Sequence, residues 1–150
     1  YCGLGTVVIP ANVTLIDTSA FADNSTLTAV TLNDGLLTMG ERAFRACVAL
    51  ASITIPDSVT SLMDEFCEDC TTLHSASLGA GLTTVGHNIF DNCTSLLSVD
   101  MHMAATVLDA NALLNSSITT IHARATDGTW TAGAGQTIAG KSGIEVIKDL

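Results

Sequence analysis

Leu50-Ala51-Ser52-Ile53-Thr54-Ile55-Pro56-Asp57-Ser58-Val59-Thr60-Ser61-Leu62-Met63-Asp64-Glu65-Phe66-Cys67-Glu68-Asp69-Cys70 reads as one circuit of a chain that repeats itself. Ile53-Thr54-Ile55 alternates apolar and polar residues and then meets Pro56, which ends a short strand by removing a backbone donor. Asp57-Ser58 supplies a turn. Val59 and Leu62 lie three apart and lead to Phe66 and Cys70, the pattern of a second extended piece followed by a helical or 3-10 turn.

Working outward, the same frame recurs every 23 residues. Ala20-Phe21, Ala43-Phe44, Phe66-Cys67 and Ile89-Phe90 hold one slot, and Leu27, Leu50, Leu73 and Leu96 hold another. Val30, Ile53, Ala76 and Val99 form a third column, and Leu32, Ile55, Leu78 and Met101 a fourth. A fixed period of this size means stacked units that share one core, none of which folds alone. The expected fold is a β-solenoid of about five stacked 23-residue coils, with short parallel strands, short convex helical or 3-10 turns and a C-terminal cap. Strands of neighbouring coils would pair at about 4.8 Å.

The expected division is a solenoid over residues 1–123, its first repeat incomplete, and a cap over 124–150. In the cap, Trp130 would close the apolar end of the stack and Ile144-Glu145-Val146-Ile147 would add a terminal strand, because solenoid ends otherwise leave core and strand edges bare. At the other end Leu4, Val7 and Ile9 fill the slots of Leu27, Val30 and Leu32 one period later and would present an open apolar edge. A start inside a repeat leads us to expect further sequence upstream.

The run Leu50 to Cys70 resembles the BspA-like leucine-rich repeat family, whose pattern is Leu-x-x-Ile-x-Ile-Pro-x-x-Val-x-x-Ile-x-x-x-Ala-Phe-x-x-Cys. The resemblance covers about residues 4–123 and rests on several slots recurring over five units. It implies a parallel β-solenoid in a surface or secreted protein linked to adhesion and protein contacts, usually without catalysis. Departures are the aromatic moved one place at Phe66-Cys67, Ala112-Leu113 in place of Ala-Phe, and a shortened last unit in which Ile118 follows Leu96 by 22 residues.

Composition narrows the partners. With a net charge of −10 and five Lys+Arg among 150 residues, the chain lacks a basic stripe for phosphates, which disfavours nucleic acid and anionic membranes. Thr, Ser, Gly, Asp and Asn interrupt every apolar run, so no membrane insertion is expected. Asn12, Asn92 and Asn115 begin Asn-x-Ser/Thr sequons; so does Asn24, the weakest candidate because it falls in a column of small buried residues. The sequons and the family resemblance point to a secreted or cell-surface glycoprotein.

Several motifs invite a chemical reading. Gly135 to Ser142 matches the phosphate-loop pattern G-x-x-x-x-G-K-S, but only eight residues follow it and they read as a strand, where a helix is required. Cys47, Cys70 and Cys93 stand 23 apart, with Asn24 and Ser116 at the column's ends, and read as a buried ladder of small side chains. Neighbouring coils can bring two of them within disulfide range, and Cys2 is the odd thiol outside the column. Cys67 and Cys70 make a Cys-x-x-Cys without the second pair a zinc site needs. Asp64, Glu65, Glu68, Asp69 and Asp91 cluster on the convex segments as a solvated face, with weak Ca²⁺ binding the sharper alternative. The four His occupy different repeat positions, and no catalytic triad, cofactor or resident metal is inferred.

One outward column remains: Val8, Thr31, Thr54, Ser77 and Asp100. It reads either as β-propensity on an exposed sheet, as a concave contact surface, or as a threonine array that orders water. Two functions follow. The first is a non-catalytic extracellular module that contacts a protein or glycan through this face. The second is a structural subunit stacking end to end into a glycosylated fibre, with Leu4, Val7 and Ile9 docking near a neighbour's Trp130, because a head-to-tail contact that does not close makes a filament.

Overall fold

A computed structural model describes residues 3, 5–104, 107–124 and 133–149. The chain winds as a β-solenoid. Each coil opens with a strand of the first ladder: β1 (Thr6–Val8), β3 (Ala29–Thr31), β5 (Ser52–Thr54), β7 (Ser75–Leu78), β9 (Ser98–Met101) and β10 (Thr120–Arg124). A second ladder follows a turn later, from β2 (Leu15–Ile16) through β4 (Thr38–Met39) and β6 (Ser61–Leu62) to β8 (Thr84–Val85), continued by a single bridge from Val85 to Leu108. The ladders run parallel, in registers such as Val7 opposite Val30 and Ile53 opposite Ala76, which are offsets of one 23-residue repeat. First-ladder strands come from six coils, one more than the expected five or so, because β1 and β10 each begin a coil at an end of the series.

The inward positions make one core. Leu27, Leu50, Leu73, Leu96 and Ile118 are fully buried in one column, and Leu36, Val59 and Leu82 are buried in another. Phe44 stacks on Phe21 with ring centroids 5.1 Å apart and meets Phe66 edge-on at 5.5 Å. Cys67 takes the slot that Phe44 and Phe90 fill in their own coils, and Phe66 fills the neighbouring slot of Ala43 and Ile89, so the pair swaps without leaving a polar group inside.

The third side of each coil differs from the expected helical or 3-10 turn. Residues 18–23, 41–46, 64–69 and 87–92 are successive turns carrying left-handed residues at two fixed places: Ser19, Arg42, Glu65 and Asn88, then Asp23, Ala46, Asp69 and Asn92. A helix would spend its N–H groups within its own segment; here alternate N–H groups point along the stack. Arg42, Phe44 and Ala46 donate to Asp64, Phe66 and Glu68 one coil on, at 3.0, 3.0 and 2.8 Å. Bonds three residues back, such as Arg45 N to Arg42 O at 3.1 Å, interleave with them. A left-handed non-glycine residue costs about 1–2 kcal/mol, and a coil-to-coil hydrogen bond returns about 0.5–1.5 kcal/mol.

At the C-terminal end, β12 (Lys141–Asp149) lies parallel to β10 from Glu145 opposite Thr120 to Asp149 opposite Arg124. Its Ile144 and Val146 are buried over the last coil. β11 (Gly133–Ile138) folds back antiparallel on β12 through a two-residue turn, Ala139 and Gly140, both left-handed at φ 49° and 81° as a type I′ hairpin demands. A side chain at position 140 would also stand 3.0 Å from the Ala110 carbonyl. The segment that matches a phosphate loop in sequence is thus a β-hairpin with no helix behind it. Trp130 lies outside the described residues.

Candidate contact face

Strand alternation places Val8, Thr31, Thr54, Ser77 and Asp100 on the outer face of the first ladder, and pairing aligns them: Val8 with Thr31, Thr54 with Ser77, Ser77 with Asp100. Val8 is 71% exposed; Thr31, Thr54 and Asp100 are exposed and Ser77 is half-buried. The column continues further than the sequence reading took it. His122 stands opposite Asp100 and Ile147 opposite His122. The 22-residue last unit, visible in Leu96 and Ile118, was the signal for His122; Ile147 comes from the C-terminal strand, which has no repeat frame to locate it.

Hydroxyl partners separate this column from the threonines that immediately precede the strands. Thr28, Thr60, Thr83 and Thr119 donate to backbone carbonyls of the preceding coil at 2.7, 3.2, 3.0 and 3.2 Å, to Gly5, Leu37, Thr60 and Leu97 respectively. Those hydroxyls hold coils together. The side chains of Thr31, Thr54, Ser77 and Asp100 make no hydrogen bond to any described residue, so their polar atoms are offered to whatever lies outside.

The first ladder is interrupted once among the described coils. β1 and β3 form a sheet of their own, and β5, β7, β9 and β10 belong to another; no ladder pair joins β3 to β5. Just before the strands, Ala51 N still reaches Thr28 O at 3.3 Å. Above that point the strands part around an open cleft of about 320 Å³ lined by Val30, Thr31, Leu32, Asp34, Ser52, Thr54 and Pro56. The outward column and the cleft share Thr31 and Thr54.

The remaining candidates lie elsewhere. Cys47, Cys70 and Cys93 are buried, and Cys67 with them; all four are free thiols. Each column thiol donates to a carbonyl of the coil before: Cys47 to Phe21 at 3.2 Å, Cys70 to Phe44 at 3.1 Å and Cys93 to Cys67 at 3.0 Å. Burial pushes Cys47 up to about 12, the nearby Cys70 adding to the effect, and raises Cys67 and Cys93 likewise. Such thiols stay protonated and are poor nucleophiles. Four of the five convex carboxylates face a partner across coils: Glu65 2.6 Å from Arg42, Glu68 2.6 Å and Asp69 3.7 Å from Arg45, and Asp64 3.1 Å from His87. Among the described residues no three His, Cys, Asp or Glu side chains converge as metal ligands do.

Of the sequon residues, Asn12, Asn92 and Asn115 are exposed in turns. Asn92 donates to Asp69 at 2.8 Å. Asn24 is half-buried, its side-chain oxygen accepting from Thr26 at 3.2 Å. For the end-to-end contact, Leu4 and Trp130 lie outside the described residues. Ile9 is only 7% exposed and Val7 is half-buried against the core, because alternation in β1 turns Val8 outward and its neighbours inward. Of the apolar edge expected there, Ile9 is thus largely covered and Val7 covered in part.

The family model described as BspA type leucine-rich repeat region matches residues 1–121 in six copies. The chain belongs to the BspA-type leucine-rich repeat family. No curated protein matches it. Among solved structures it is similar to a leucine-rich cell surface protein of Faecalibacterium prausnitzii A2-165, at 24% identity and a TM-score of 0.77 over 96% of this chain. It is also similar to the leucine-rich repeat protein of T. pallidum, at 19% identity and a TM-score of 0.63 over 83% of this chain and 76% of that one. A leucine-rich repeat protein from Bacteroides ovatus ATCC 8483 matches at 19% identity and a TM-score of 0.61 over 95% of this chain and 45% of that one. The chain spans 38% of the length of the F. prausnitzii structure. These likenesses establish the fold. No helix among the described residues is long and apolar enough to cross a membrane.

Proposed function

We propose that this BspA-type repeat chain is a non-catalytic protein-contact module of a secreted or cell-surface protein, and that it binds through the outer face of its first ladder. One observation carries the reading: Thr31, Thr54, Ser77 and Asp100 lie on the outer face of the first ladder with side-chain polar atoms free of the described residues, the last three in consecutive register, whereas Thr28, Thr60 and Thr83, just before their strands, spend their hydroxyls on the preceding coil. Small polar side chains on a rigid sheet present a pre-organised surface with little rotamer entropy to lose on binding. Buried, protonated thiols and carboxylates paired across coils favour a contact role over a catalytic one. The surface location is supported by the F. prausnitzii neighbour, described as a cell surface protein.

The test compares proteins captured from the source organism by the wild-type chain, by a Thr31→Lys/Thr54→Lys variant and by a Thr38→Lys/Thr84→Lys control on the second ladder. The expected result is loss of capture for the first variant alone. Equal capture by all three would remove the first-ladder face from consideration.

A further inference from the structure

We propose that the cleft between β3 and β5 receives a cationic side chain, lysine or arginine, presented by a basic segment of a partner protein; this rests on the contact-face reading above. The cleft, at about 320 Å³, has room for such a side chain and is open to solvent, so a side chain can enter from the outer face. Its lining is graded. Val30, Leu32 and Pro56 supply apolar surface for an aliphatic stem, Thr31, Ser52 and Thr54 supply hydroxyl oxygens, and Asp34 supplies a carboxylate. Long cationic side chains bury their methylenes on apolar walls while their charged heads stay with oxygen acceptors.

Three further observations point the same way. The Asp34 carboxylate has no ion pair or hydrogen bond with a described residue, unlike Glu65, Glu68 and Asp64, which are paired with Arg42, Arg45 and His87. The missing ladder pairs between β3 and β5 leave facing backbone groups without a strand partner, and carbonyl oxygens at such a gap are acceptors for an ammonium or guanidinium. The whole chain carries a net charge of −10, which draws basic partners toward it and repels acidic ones.

The experiment uses the whole chain and a defined probe. Tetralysine peptide, and the same peptide with every lysine Nε-acetylated, are titrated by calorimetry into the wild type, Asp34→Ala and Asp91→Ala. Asp91 lies on the turn side, so its loss changes net charge by the same amount without touching the cleft. The expected outcome is binding of tetralysine that weakens about five-fold or more in Asp34→Ala and less than two-fold in Asp91→Ala, with no binding of the acetylated peptide. The unfolding midpoint of Asp34→Ala should equal the wild type's, since Asp34 is exposed. Equal weakening by the two variants would show attraction to net charge alone and overturn the proposal, as would failure of tetralysine to bind. If Asp34→Ala has no effect while the Thr31→Lys/Thr54→Lys variant still abolishes partner capture, the contact face stands and only the cation site falls.

Discussion

Truncating Phe44 to alanine tests the shared core most directly. Phe44 is fully buried, stacked on Phe21 at 5.1 Å and edge-on to Phe66 at 5.5 Å, and so joins three consecutive coils. Removing a buried phenylalanine costs about 3–5 kcal/mol from lost transfer energy and the cavity left behind. Each aromatic pair contributes about 0.5–1.5 kcal/mol more. Phe90 is equally buried but has no ring partner among the described residues, so it isolates the size term. Phe44→Ala should therefore destabilise by about 1–3 kcal/mol more than Phe90→Ala. Against a total domain stability of about 5–15 kcal/mol, that leaves the first variant close to unfolding. Urea denaturation followed by far-UV circular dichroism measures both. A Phe90→Ala cost equal to or above that of Phe44→Ala would refute the coupling of coils through a ring stack.

Three further predictions concern the turns and the thiols. Ala46 holds a left-handed conformation at φ 55° with no side-chain group to favour it, where equivalent positions carry Asp69 and Asn92; Ala46→Gly should stabilise by about 0.5–1 kcal/mol, read as a raised urea midpoint. A folded-state thiol pKa lying above the unfolded value of about 8.5 means that the unfolded chain loses its proton first, so stability is full below that pH and falls as pH climbs toward about 12 for Cys47. The slope should be at most about 1.4 kcal/mol per pH unit for each such thiol. Denaturation series between pH 7 and 10 should show it, with Cys47→Ser removing one thiol's share. At pH 8 the Cys47 thiolate fraction is on the order of 10⁻⁴, so a thiol reagent such as Ellman's should leave the buried Cys47, Cys67, Cys70 and Cys93 unreacted until urea is added.

The solenoid was legible because its signal is periodic. Leu27, Leu50, Leu73 and Leu96 report one inward slot four times over, and the Ile-Thr-Ile alternation before Pro56 states which residues face in and which face out. The turn conformation was not legible from the apolar frame, since Val59, Leu62 and Phe66 at helix-like spacing conceal that N–H groups between them bond to neighbouring coils. The column Asp23, Asp69, Asn92 and Asn115 carried that information, because Asp and Asn tolerate the left-handed region better than most residues. Exposure of Thr31 and Thr54 follows from alternation, but the cleft between them does not. It arises from the absence of backbone pairing between two strands, Ala29–Thr31 and Ser52–Thr54, whose sequences look as fit to pair as their neighbours.

That unpaired rung changes how the stack would respond to force. Elsewhere tension along the axis is distributed over three sides of each coil; at this junction the β4–β6 pairing and the Arg42, Phe44 and Ala46 bonds carry nearly all of it. Those two sides form a pivot, and the third is free to gape. Pulling on the chain would widen the mouth bounded by Thr31 and Thr54, while an occupant bridging the mouth would resist the tilt, so grip and mechanical load work against each other at a single seam.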